Sequence, residues 1–161
     1  MKKLLLILIF SLQFSESKAQ TTTYYFIRHS EKMDNSENPD LSEKGKIRAV
    51  NWNKIFSETK FDAVYSTDFK RTIQTATPIL NSRNLKPIIF IPKTIDIELF
   101  KSETKNKTIL VVGHSNSTPE FVNKLIKEKK YEKIDETIFG NLYIVSILEN
   151  EKAISQFLKL E

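Results

Sequence analysis

Both histidines of this 161-residue chain stand at the end of a run that favours β-structure. His29 follows Tyr24, Tyr25, Phe26, Ile27 and Arg28. His114 follows Thr108–Val112 and Gly113. Aromatic and β-branched residues suit a pleated, buried surface, and open α/β sheets bind their ligands beyond the carboxyl ends of their strands. Imidazole, with an unperturbed pKa of about 6.5, is largely unprotonated near neutral pH and can act as a nucleophile. A guanidinium beside it offers fixed positive charge. A strand end that merely reaches solvent would carry the same residues, so the first segment alone leaves both readings open. The second occurrence of the same design favours a site.

Three blocks then fall into order: Arg28-His29-Ser30, the stretch Tyr65–Ala76 (YSTDFKRTIQTA), and Gly113-His114-Ser115-Asn116. Together with Leu41–Ala49 (LSEKGKIRA), they resemble the histidine phosphatase superfamily, of phosphoglycerate-mutase-like fold, from about Thr23 to Leu148. In that family the residues matching Arg28, His29, Arg71 and His114 form the phosphate pocket, and the first histidine is phosphorylated. The resemblance implies the same roles here.

Phosphoryl transfer without a metal needs cations and hydrogen-bond donors around the equatorial oxygens. It also needs an unprotonated nucleophile and an acid for the leaving oxygen. His29 is the expected nucleophile and Arg28 its neighbouring clamp. Arg71, after the Ser66-Thr67-Asp68 turn, would grip phosphate in a two-pronged fashion, and His114 would donate to a phosphate oxygen. Ser30 and Asn116 are expected to add substrate contacts, with the amides at the start of the Ser117 helix. The acid is assigned to Glu98, in a segment resembling the one where the mutase-like branch carries its glutamate. Asp96 and Glu31 compete for that role, and Ser115 stands where the other branch places an aspartate. No metal or cofactor is required by this set.

The elements that must position these groups alternate between strand and helix. After the first strand, residues 31–39 read as a loop over the site. The spacing Asp40 to Glu43 predicts a capping box and a helix burying Ile47, Val50, Trp52, Ile55 and Phe56. Phe61–Ser66 reads as a strand, and Asp68–Asn84 as a helix carrying Ile73, Ala76 and Leu80 inward, with Pro78 as a site for a kink. Pro87–Pro92 reads as a peripheral strand and Thr94–Lys107 as loop with a helical turn. Thr108–Val112 is the second central strand, and Ser117 to Glu120 a capping box opening a helix of Phe121, Val122, Leu125 and Ile126. Asn141–Leu148 and Ala153–Leu160 form an antiparallel hairpin. The sum is an α/β protein, a three-layer α/β/α sandwich with a mostly parallel central sheet.

Residues 1–19 have the layout of a secretory signal peptide: Lys2 and Lys3, an apolar stretch to Phe14, and Ser17-Lys18-Ala19. The expected mature domain is 20–161, exported to a bacterial periplasm or secreted, without stable membrane insertion. An uncleaved anchor is the alternative, although the apolar stretch falls short of the roughly 20 residues of a membrane span. The absence of cysteine excludes disulfides and thiolate chemistry. Net charge is +5, and without the leader 22 basic face 19 acidic residues. That mild balance suits a small phosphorylated substrate and does not indicate a nucleic-acid partner. The expected activity is a metal-independent phosphatase acting through phosphohistidine on His29. A non-catalytic phosphate-binding module of the same fold is the alternative, as is a mutase-type phosphotransferase. The sequence lacks H-E-x-x-H or other ligand spacing for a metal hydrolase. Met33–Pro39 and Thr94–Lys107 are the loops expected to set specificity.

Overall fold

A computed structural model describes residues 21–160. The signal-peptide reading of residues 1–19 therefore lies outside the described residues. The elements follow in the order β1 (Thr22–Arg28), α1 (Glu43–Ile55), β2 (Ala63–Ser66), α2 (Lys70–Arg83), β3 (Pro87–Ile89) and α3 (Ile97–Glu103). They continue with β4 (Thr108–Gly113), α4 (Ser117–Ile126), β5 (Asn141–Ile147) and β6 (Ala153–Lys159).

The strands form one six-stranded sheet in the order β3-β2-β4-β1-β5-β6. β3, β2, β4 and β1 are parallel, and β5 and β6 close one side antiparallel. Side chains alternate across the central strands, because successive residues of a strand point to opposite faces. Tyr24, Phe26, Ile109 and Val111 pack with Phe100, Phe121, Val122 and Leu125 of α3 and α4. Ile27, Leu110 and Val112 pack with Trp52 of α1 and Ala76, Ile79 and Leu80 of α2. Two apolar layers back to back on one sheet make the expected α/β/α sandwich.

Register is what prepares the site. Arg28 pairs with Gly113, and Ser66 with Val112. The three parallel strands therefore end level, and His29, Thr67 and His114 emerge side by side. β5 runs the other way, with Leu142 opposite Ile27, so the segment leading into it arrives at this same end.

Three local expectations change. In α1 the buried positions are Gly45, Ala49 and Trp52, followed by Phe56, whereas Ile47, Val50 and Ile55 are exposed. The rotation of the helix is set by Gly45, where a Cβ would lie 2.1 Å from the Glu31 carbonyl oxygen. Only glycine permits that approach, and it turns the 45–49–52–56 stripe to the sheet. The cap of α1 is Ser42, whose Oγ accepts from the Gly45 amide, and Asp40 instead binds Gln74 and Lys70. The cap of α4 is Asn116, one residue before the expected start. Pro78 sits inside α2, which continues to Arg83.

Candidate active site

His29 leaves β1 buried, its amide donating to the Gly113 carbonyl at 2.9 Å. Its Nδ1 lies 2.7 Å from the Ser30 carbonyl oxygen. A carbonyl can only accept, so Nδ1 carries the proton and Nε2 keeps its lone pair. Burial, and then the charges of Arg28 and Arg71, push the pKa of this imidazole down to about 4. The ring is thus neutral at physiological pH, with one nitrogen fixed as donor and the other ready to attack.

Arg28 is 1% exposed. Its Nη1 donates to the carbonyl oxygens of Asp135 and Ile138, both at 2.9 Å, and its Nη2 to the Glu136 carboxylate. The guanidinium lies 4.3 Å from the centre of the Phe139 ring. Its Nε–H is buried with no partner, an orphan donor of the kind a bound oxyanion would satisfy. Arg71, in the first turn of α2, stacks 4.4 Å from the Phe69 ring and donates from Nη1 to the Glu37 carbonyl in the covering loop.

His114 stands with its ring 5.4 Å from that of His29 and edge-on to Phe69. Its Nε2 meets Thr67 Oγ1 at 2.9 Å, and Nδ1 accepts from Arg71 Nη2 at 3.5 Å. Because guanidinium has no acceptor, these two contacts hold His114 with its proton on Nε2. Thr67 accepts that proton and passes its own to Thr72 Oγ1 at 3.0 Å. Burial, then the His29 and arginine neighbours, push the His114 pKa down to about 3.

Arg28, His29, Arg71, His114 and Asn116 line one cavity of about 600 Å³. Ser30 does not reach it. Its side chain is fully buried, its hydroxyl is without a partner, and its amide donates to Thr75 Oγ1. What Ser30 supplies is the carbonyl that orients His29. Asn116 is exposed at the rim, with Oδ1 occupied by the Ser117 amide.

The assignment of the acid to Glu98 is corrected by its position. Glu98 lies on α3, 67% exposed, bridged to Lys101 and Lys127, and it lines a separate pocket with Thr22 and Tyr24 at the opposite end of β1. A carboxylate beyond the amino end of β1 cannot reach a group bound at the carboxyl end. Asp96 caps α3 through the amides of Glu98 and Leu99. Glu31 is buried against Arg48, whose Nε and Nη2 donate to it at 2.8–3.0 Å. Burial tends to raise its pKa, but the Arg48 hydrogen bonds and charge outweigh that and hold it below the ordinary carboxylate range.

The pocket also contains residues not anticipated from the sequence: Thr67, Phe69, Lys32, Lys93, Lys133 and Glu136. Thr67 was findable as the residue following β2. Glu136 had a subtler signal. It precedes a strand that runs antiparallel to β1, and such a strand starts where its neighbours end. Among the described residues no three His, Cys, Asp or Glu side chains are grouped as a metal site would need.

Residues 24–99 match the family model described as histidine phosphatase superfamily (branch 1). No curated protein sequence matches the chain. Among solved structures, the α-ribazole phosphatase of Shigella flexneri superposes with a TM-score of 0.69 at 16% identity, over 86% of this chain and 96% of that one. A mycobacterial glucosyl-3-phosphoglycerate phosphatase gives a TM-score of 0.68 at 10% identity, over 88% and 100%. The protein histidine phosphatase SixA, complexed with tungstate, gives 0.65 at 16% identity, over 85% and 96%.

Proposed function

We propose, from the match of residues 24–99 to the histidine phosphatase superfamily and the compact phosphoglycerate-mutase-like fold shared with the solved structures, that this chain is a member of that superfamily and a phosphomonoesterase working through a phosphohistidine on Nε2 of His29. The observation that carries this reading is the hydrogen bond from His29 Nδ1 to the Ser30 carbonyl. It fixes the tautomer and directs reactivity to the other nitrogen. Nε2 attacks phosphorus, the P–O bond breaks, and its electron pair leaves with the substrate oxygen. Water then attacks the phosphohistidine, the P–N bond breaks, and the pair returns to Nε2 as inorganic phosphate departs.

The charge that builds on the equatorial oxygens is met by the orphan Nε–H of Arg28 and by Arg71, groups already fixed before substrate arrives. For His114 to donate from Nδ1, its proton must move from Nε2 to Nδ1. Thr67 allows this, since its hydroxyl can turn to donate to Nε2. With Glu98, Asp96 and Glu31 all directed elsewhere, the leaving oxygen lacks the carboxylic acid expected for it. Aryl phosphates, whose leaving groups need no proton, should be hydrolysed faster than alkyl phosphates by about 10²-fold or more.

Brief incubation with a ³²P-labelled phosphoester should yield an acid-labile, base-stable phosphoprotein. His29→Ala should abolish label and turnover together, and Arg71→Ala should reduce turnover about 10²-fold. Turnover that survives His29→Ala would sink the mechanism. Phosphate binding with no turnover across sugar phosphates, nucleotides and phosphopeptides would identify a binding module instead.

A further inference from the structure

Arg28 is held by more contacts than its orientation requires. Two backbone carbonyls take Nη1, the Phe139 ring covers the guanidinium, and the side chain is buried. Glu136 adds a carboxylate to an arginine already fixed, and that carboxylate is 61% exposed. Its two oxygens are differently engaged. Oε1 accepts from Ser115 Oγ at 2.8 Å and faces Lys133 Nζ at 3.2 Å, while Oε2 lies on Arg28 Nη2. The Ser115 hydroxyl, with Lys133 and Arg28, keeps the carboxyl below the ordinary carboxylate range, so near neutral pH it has no proton to give a leaving group.

We infer that Glu136 is an internal anion that shares the charge of Arg28 with the substrate's phosphoryl group, Oε2 on Nη2 beside the free Nε–H, and so sets how tightly the pocket retains phosphate. This rests on the phosphatase reading above. Oε2 balances the charge of a buried guanidinium, which would otherwise stand uncompensated. When a phosphoryl group arrives, Oε2 can swing away while Oε1 stays tethered to Ser115 and Lys133. The carboxylate then stands beside a second anion and weakens its hold. Product phosphate feels this as much as substrate does, so its release is eased.

The test is calorimetric titration of inorganic phosphate into wild type, Glu136→Gln and Glu136→Asp, with steady-state hydrolysis of 4-nitrophenyl phosphate alongside. Glutamine keeps the shape and can still accept from Ser115, but it lacks the charge. Glu136→Gln should bind phosphate about 10-fold more tightly, with KM for the ester and the inhibition constant of phosphate falling in parallel. Glu136→Asp retains the charge and should stay within about 3-fold of wild type. A residue that merely positions Arg28 gives the opposite sign, with phosphate weakened and KM raised, and that result overturns the inference. So does equal tightening in Glu136→Asp, which would show that contact rather than charge is at work. Tighter phosphate binding in a protein that hydrolyses no ester would keep this inference and sink the phosphatase reading. Hydrolysis with unchanged phosphate affinity would do the reverse.

Discussion

An imidazole in water titrates near pH 6.5, whereas His29 and His114 are buried among arginines and are pushed down to about 4 and about 3. These are the chain's two histidines, so ring signals in a ¹³C–¹H spectrum can be assigned with a single His29 variant. Neither ring should titrate between about pH 5.5 and 8, and each should move only as the pH falls further. A midpoint near 6.5 for either ring would place it in solvent and remove the basis for the nucleophile. The sign for stability follows from the lowered values. In the unfolded chain both rings take up protons at about pH 6.5, while the folded protein refuses them until about 4 and about 3. Folded stability is therefore lost as the pH falls below about 6.5, and the urea midpoint should be lower at about pH 5 than at about pH 7.

Between residue and fold lies the joint of β1 with α1. Glu31, two positions after His29, is fastened on both sides. Its carbonyl receives the Ser42 amide and hydroxyl, and its carboxylate receives Arg48. Gly45 lies so close beneath it that a Cβ would stand 2.1 Å from the carbonyl oxygen and 3.0 Å from the backbone nitrogen. Backbone on both sides of this contact leaves no side chain to give way. Gly45→Ala should therefore push α1 off the segment after His29, costing about 1–3 kcal/mol. For a chain of this size, that lowers Tm by about 2–4 °C per kcal/mol. Turnover should fall with it, because the Ser30 carbonyl that orients His29 is one residue from the displaced backbone. Thermal denaturation and kcat measured on the same preparation check this. An unchanged Tm would show that the joint is looser than the contact implies.

At the scale of the whole molecule, the sheet order brings strands distant in sequence to one end, with one hydrophobic layer of described residues on each face. No described helix is long and apolar enough to cross a membrane. We propose, from the Lys2-Lys3 head and the Ser17-Lys18-Ala19 ending, that the first 19 residues are an export signal. A chain beginning at Gln20 should then unfold at the same temperature as the full-length protein. Material recovered from an exporting bacterial host should have an intact mass beginning at or near Gln20. Retention of residues 1–19 in a membrane fraction would argue for an anchor.

How much of this was legible in the sequence depends on whether its cause is local. The two strand runs, their abrupt ends at Arg28-His29 and Gly113-His114, and the helix after Thr67 are local patterns. The rule that ligands bind where parallel strands end, joined to the resemblance carried by these motifs, assembled Arg28, His29, Arg71 and His114, and the structure brings the four to one cavity. The alternation of strands with helices along the chain likewise indicated a sheet covered on both faces. The rotation of α1 was not local. Ile47, Val50 and Ile55 are as hydrophobic as the residues that were buried, and the contact of Gly45 with Glu31, fourteen positions earlier, chose between the faces. Glu98 and Glu136 show the same division. Glu98 was singled out by the segment around it, and nothing adjacent to Glu136 marked it. α3 follows the edge strand β3 and carries Glu98 to the far end of the sheet, while the segment before antiparallel β5 carries Glu136 onto Arg28. Strand direction is a property of pairing between distant segments, so which carboxylate meets the cavity of Arg28 and His29 was settled only when the sheet formed.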